Sequence, residues 1–84
     1  MEKKVKNLLS GSLEARPIAM LVQIASQYDS SIYLETDGKK VNAKSIMGMM
    51  SLALKTGDEI VVRAEGEDEE KAVEGIEKYL SGQN

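Results

Sequence analysis

Gly38-Lys39-Lys40-Val41-Asn42-Ala43-Lys44-Ser45-Ile46-Met47-Gly48-Met49-Met50-Ser51-Leu52 carries a turn, a short strand and a helix start in immediate succession. Ser45 stands directly ahead of the apolar run Ile46, Met47, Met49, Met50, Leu52, Ala53 and Leu54, where a hydroxyl side chain caps the unpaired amides of a new helix. The same place suits a phosphoryl group, which would set about two negative charges beside the positive end of the helix without unwinding it. Lys39, Lys40 and Lys44 add positive charge nearby. The plainer reading of Ser45 is a helix cap and nothing more, a role worth about 1 kcal/mol.

Upstream, Asp37-Gly38 supplies the two residues of a type I′ hairpin turn. It joins a strand in which Ile32, Leu34 and Thr36 alternate with Tyr33 and Glu35 to a return strand over residues 39–42. Ile18, Leu21, Val22, Ala25 and Tyr28 recur at helical spacing, which predicts a helix with Pro17 as its first residue, Arg16 as its cap and an end near Tyr28. Residues 2–9 read as a strand with Val5 and Leu9 on one face and Asn7 interrupting that face. Downstream, the helix opened by Ser45 runs into Leu54 and closes at Thr56-Gly57-Asp58. A strand follows with Ile60, Val62 and Ala64 on one side, Val61 and Arg63 on the other, and Gly66 at its end. Glu67, Asp68, Glu69 and Glu70 open a last helix whose inner face is Ala72, Val73, Ile76, Tyr79 and Leu80, with Lys78 near its far end. The order is βαββαβα, an α+β open-faced sandwich with three helices on one face of a four-stranded sheet.

The 84 residues make one domain spanning 1–84. A hydrophobic content of 42% is too high for a disordered chain. The net charge of −3 speaks against direct nucleic-acid binding, which needs a basic surface. With no cysteine and no histidine, thiol chemistry and the usual zinc or neutral-pH acid-base sites are excluded, and no cofactor is expected. Glu65, Glu67, Asp68, Glu69 and Glu70 lack the alternating ligands and internal glycine of a calcium loop and read as a solvated helix start. Met1-Glu2-Lys3-Lys4 is followed by no long apolar run, so neither a signal peptide nor a membrane span is expected, and the expected location is the cytoplasm.

The run from Ile46 to Leu54 holds more apolar residues than one helix face can bury. A short helix sunk into the core would cover Met49, Leu52 and Ala53 but not all the rest, so some of Ile46, Met47 and Met50 must point outward. Flexible, polarisable thioethers suit a surface that docks other proteins. Gly48 either admits a close approach or is a plain defect in the helix.

Asn42 to Leu52 resembles the regulatory serine segment of the HPr family, small phosphocarriers of the bacterial sugar phosphotransferase system. Gly11-Ser12-Leu13-Glu14-Ala15-Arg16-Pro17 resembles that family's active-centre loop, and the likeness covers nearly the whole chain. The resemblance implies an HPr-like open-faced β-sandwich with an antiparallel sheet. It departs at one place: the family's phosphorylated histidine precedes Ala-Arg-Pro, and here Glu14 holds that degenerate active-centre position. Crh-type members also lack the histidine. By this likeness Ser45 is the target of an ATP-dependent HPr kinase/phosphorylase, and Arg16, Ile46, Met47 and Met50 contact partners. The phosphorylated form would be corepressor of a CcpA-type repressor in carbon catabolite repression, with no catalytic activity of its own. Three alternatives stand beside it: a phosphocarrier in the sugar relay, a natural or engineered variant in which Glu14 imitates phosphohistidine, and a self-associating binding module. Crh-type proteins also suggest a homodimer formed by exchange of the first strand.

A carboxylate cannot form the nitrogen-phosphorus bond that makes the relay reversible. Incubation with phosphoenolpyruvate and the relay's first enzyme is therefore expected to leave the chain unlabelled, and stable transfer of label to it would restore the carrier reading.

Overall fold

A computed structural model describes residues 1–8, 15–51 and 57–82, and only the backbone of residues 15–17. Its elements in chain order are β1 (Glu2–Lys6), α1 (Ala15–Ala25), β2 (Ser31–Thr36), β3 (Lys39–Asn42), α2 (Ile46–Met50), β4 (Glu59–Glu65) and α3 (Glu69–Leu80). The strands form one antiparallel sheet in the order β1-β4-β2-β3. Ile60 of β4 lies opposite Val5, Val62 opposite Leu34, and Ala64 opposite Ile32. All six are buried on the side that meets Ile18, Leu21 and Ala25 of α1, Met49 of α2, and Ala72, Val73, Ile76 and Leu80 of α3. The period-2 pattern in the strands thus faces the period-3.6 pattern in the helices across one core, as the sequence predicts.

The opposite sheet face is polar and needs no cover. Arg63 stands between Glu2 and Glu35, with Nε 3.0 Å from Glu2 Oε1 and Nη2 3.5 Å from Glu35 Oε1. The first contact is ionic rather than a hydrogen bond. Lys40 Nζ lies 4.9 Å from the centre of the Tyr33 ring. Asp37 and Gly38, at φ of 55° and 78°, make the left-handed pair that the hairpin turn requires.

Three expectations change. β1 stops at Lys6, short of the expected run toward Leu9, because Lys6 pairs with Glu59, the first residue of β4, and among the described residues no partner strand extends further. Asn7 does not interrupt the core face but is fully buried on it, and its backbone is tied to residues 57 and 58. Its N–H donates to Asp58 O at 2.8 Å and its carbonyl accepts from Gly57 N–H at 2.6 Å. Leu8 N–H then donates to Leu80 O at 2.7 Å, and Leu9 lies outside the described residues. α1 is already helical at Ala15, so Arg16 is in its first turn and is not the cap. Pro17 falls in that turn too, where a missing N–H leaves no helix bond unmade. α2 is described over Ile46–Met50, and the expected continuation through Leu52, Ala53, Leu54 and Thr56 lies outside the described residues.

A contact not expected from the sequence joins the start of α3 to the loop before β2. The Asp68 carboxylate accepts from the N–H of Asp29 at 2.9 Å, the N–H of Ser30 at 3.0 Å and the Ser30 hydroxyl. Gly66 makes the approach feasible, since a Cβ there would lie 2.8 Å from Ser30 Cα. The Ser30 hydroxyl first, and then the Asp29 amide, hold the Asp68 carboxyl below its ordinary pKa. A carboxyl shifted down stabilises the fold fully above its unfolded pKa and loses that contribution as pH falls through the lowered folded value. Asp68→Ala is therefore expected to melt below the parent at neutral pH, with the gap narrowing once pH drops beneath the ordinary carboxylate range. A gap independent of pH would remove the carboxylate from the account.

Candidate functional site

The segment between β3 and α2 is folded by its own polar groups. Asn42 Oδ1 accepts from Lys44 N–H at 2.8 Å, and Asn42 O accepts from Ser45 N–H at 3.0 Å. Ala43 is buried, and its N–H donates to Ile32 O at 2.9 Å, which pins this turn to the sheet. Ser45 therefore enters α2 from a fixed point, in the extended conformation of an N-cap at φ −102° and ψ 113°. Its Oγ accepts from Gly48 N–H at 3.3 Å, and its carbonyl accepts the first helix bond from Met49 N–H at 2.9 Å. Ser45 itself is exposed.

Behind the serine the helix is one-sided, and where the sequence required only some of Ile46, Met47 and Met50 to face outward, all three do. Met49 has no exposed surface, whereas Ile46 is 47%, Met50 55% and Met47 83% exposed. A Cβ at Gly48 would lie 3.5 Å from Ser45 Oγ and 3.7 Å from Val41 Cβ, which is ordinary contact, so no close approach demands a glycine there. Ser51 ends the described helix, its hydroxyl and its N–H both donating to Gly48 O, at 2.6 and 3.1 Å.

The positive charge near Ser45 is partly engaged elsewhere. Lys44 Nζ donates to Tyr28 O at 2.6 Å, beyond the C-terminal end of α1, where a cation meets unpaired carbonyls. Lys40 is drawn to Tyr33 on the open sheet face. The Lys44 contact bridges 16 positions in sequence, and no local pattern announces it. α1 packs against α2, and Arg16 belongs to the first turn of α1. Glu14 lies outside the described residues.

The family model described as the PTS HPr component phosphorylation site matches residues 1–81. The chain belongs to the HPr family. It is 51% identical over 80 residues to the HPr-like protein Crh of Bacillus subtilis (strain 168), covering 95% of this chain and 94% of that one. Among solved structures, the phosphocarrier protein HPr of Bacillus anthracis superposes with a TM-score of 0.91 at 48% identity, covering 95% of each chain. Crystalline Crh of B. subtilis, described as a swapped dimer, superposes with a TM-score of 0.78 at 51% identity, covering 96% of this chain and 93% of that one. The chain is thus HPr-like and of the Crh type, in a family of phosphocarriers and regulators and not of enzymes. No helix among the described residues is long and apolar enough to cross a membrane.

The split within α2 can be measured. Met47→Lys is expected to change the unfolding free energy by less than about 0.5 kcal/mol in urea titration, whereas Met49→Ala should cost about 2–5 kcal/mol. Ser45→Ala should fall between them, at about 1 kcal/mol. Equal losses at Met47 and Met49 would mean that the helix is not one-sided.

Proposed function

We propose that this HPr-like chain is a switchable docking protein. An ATP-dependent HPr kinase/phosphorylase modifies Ser45, and the phosphorylated form binds a CcpA-type repressor as corepressor in carbon catabolite repression, in the cytoplasm. The observation that carries this reading is the adjacency of an exposed capping hydroxyl to three exposed apolar side chains, Ile46, Met47 and Met50, in a chain without histidine.

In the proposed transfer, Ser45 Oγ attacks the terminal phosphorus of ATP, its proton is lost, and ADP leaves. The phosphoserine adds about two negative charges to a protein of net charge −3 while keeping acceptor oxygens within reach of Gly48 N–H. The partner would then meet a composite epitope. Phosphate pairs with its basic groups, Ile46, Met47 and Met50 fill an apolar pocket, and Arg16 pairs with an acid. Charge is the switch, and the apolar face is the constant part of the affinity.

The phosphocarrier reading is weaker, because Glu14 occupies the position where the family carries its relay nitrogen. A homodimer by exchange of β1 has support of a different kind. β1 is a five-residue strand at the sheet edge that, among the described residues, pairs only with β4, and a relative at 51% identity is described as a swapped dimer.

Treatment with HPr kinase and ATP, followed by mass spectrometry and repressor binding, tests the main reading. One phosphate on Ser45 and a gain in repressor affinity are expected, and Ser45→Ala should lose both. Arg16→Ala should accept phosphate normally and bind repressor more weakly. Phosphorylation at another residue, or repressor binding indifferent to phosphate, would overturn it.

A further inference from the structure

Five methionines and no cysteine make the thioether this chain's whole stock of oxidisable sulfur. That sulfur is unevenly placed. The large apolar side chains exposed among the described residues are Met1, Leu8, Met20, Ile46, Met47 and Met50, so methionine supplies most of them and two of the three on α2. Met47, at 83% exposure, stands two residues from Met49, which has none. Leucine at 47 and 50 would present a similar apolar area without the reactive atom.

We propose that Met47 and Met50 form a peroxide-responsive modification site, at which conversion to methionine sulfoxide turns the docking face of α2 off while leaving the fold intact. The inference rests on the docking role proposed above and adds a second control to the same surface. Hydrogen peroxide is the oxidant. The thioether sulfur donates a lone pair to one peroxide oxygen, the O–O bond breaks, an S–O bond forms, and the other oxygen leaves as water. Sulfur loses two electrons and peroxide gains them.

The consequence follows from solvation. A thioether enters an apolar pocket readily, whereas a sulfoxide carries a strongly accepting oxygen that must give up water to do so. In the free protein the oxidised side chains remain in solvent, so the core does not register the change. Met49, sealed beneath the same helix turn, would disrupt the core on oxidation, and its burial keeps it from peroxide. Phosphorylation at Ser45 and oxidation at Met47 and Met50 would thus act on one epitope with opposite sign. The first adds a charge that the partner seeks, and the second adds a dipole that its pocket rejects.

The test uses the full chain phosphorylated on Ser45, hydrogen peroxide, peptide mapping by mass spectrometry, and binding to a purified CcpA-type repressor. Met47 and Met50 are expected to oxidise ahead of Met49, with far-UV circular dichroism unchanged and repressor affinity lowered about tenfold or more. Methionine sulfoxide reductases with dithiothreitol should restore it. The double variant Met47→Leu, Met50→Leu, whatever its affinity before treatment, should show the same affinity before and after peroxide. If the unoxidised phosphoprotein fails to bind, the docking role is wrong and this inference falls with it. If it binds and the oxidised form binds equally well, the docking role stands and the inference alone is overturned. Loss of binding by the peroxide-treated double variant would place the sensitive sulfur elsewhere and overturn it too, as would oxidation of Met49 in step with Met47.

Discussion

Ile60, Val62 and Ala64 of β4 expose no surface, and β4 runs between β1 and β2. These three side chains form the axis of the core. Antiparallel pairing brings Val5, Ile32 and Leu34 alongside them, and every helix contributes its apolar stripe to the same side. Each large side chain removed from water there contributes about 1.5–3 kcal/mol, and a one-residue slip of register would turn the whole set to solvent. One-sidedness is therefore the governing constraint. It places all three helices in one layer and leaves the other sheet face to ions.

That arrangement gives the two surfaces different characters. On the open sheet face, Glu2 and Glu35 flank Arg63 as ion pairs, and such exposed pairs contribute only about 0–1 kcal/mol each. The face is neither apolar nor strongly of one sign. On the helical side, α2 is described over five residues and buries one of its apolar side chains, Met49. Over these five residues one helix face cannot sink Ile46, Met47 and Met50 as well. The exposed patch is thus a result of fitting a crowded apolar run onto a small core.

Ser45 gains its position from the sheet. The hairpin sets β3, the Ala43 amide ties the following turn to Ile32, and Asn42 closes that turn on Lys44 and Ser45. The hydroxyl is held at the head of α2 by backbone geometry. A group added to Oγ would therefore need no rearrangement of the fold beneath it, which suits a site read by a partner. Asp68 does a related job, holding the chain between α1 and β2 against the start of α3.

Element order, the hairpin, the inward faces of β2, β4 and α3, and the need for some of Ile46, Met47 and Met50 to face outward were written in the spacing of apolar residues and in Asp37-Gly38, whereas the exposure of all three was decided by the packed structure. Those signals are local, since periodicity and turn chemistry act over a few residues. The serine before the methionines was legible as a cap for the same reason. Where β1 ends, that Asn7 belongs to the core, that Lys44 is held at Tyr28 and that Asp68 binds Ser30 were decided only when distant segments met. A strand ends where its partner begins, and a buried polar group or a charge takes whichever neighbour the packed chain places beside it, so these outcomes depend on three-dimensional proximity and leave no trace in the order of residues.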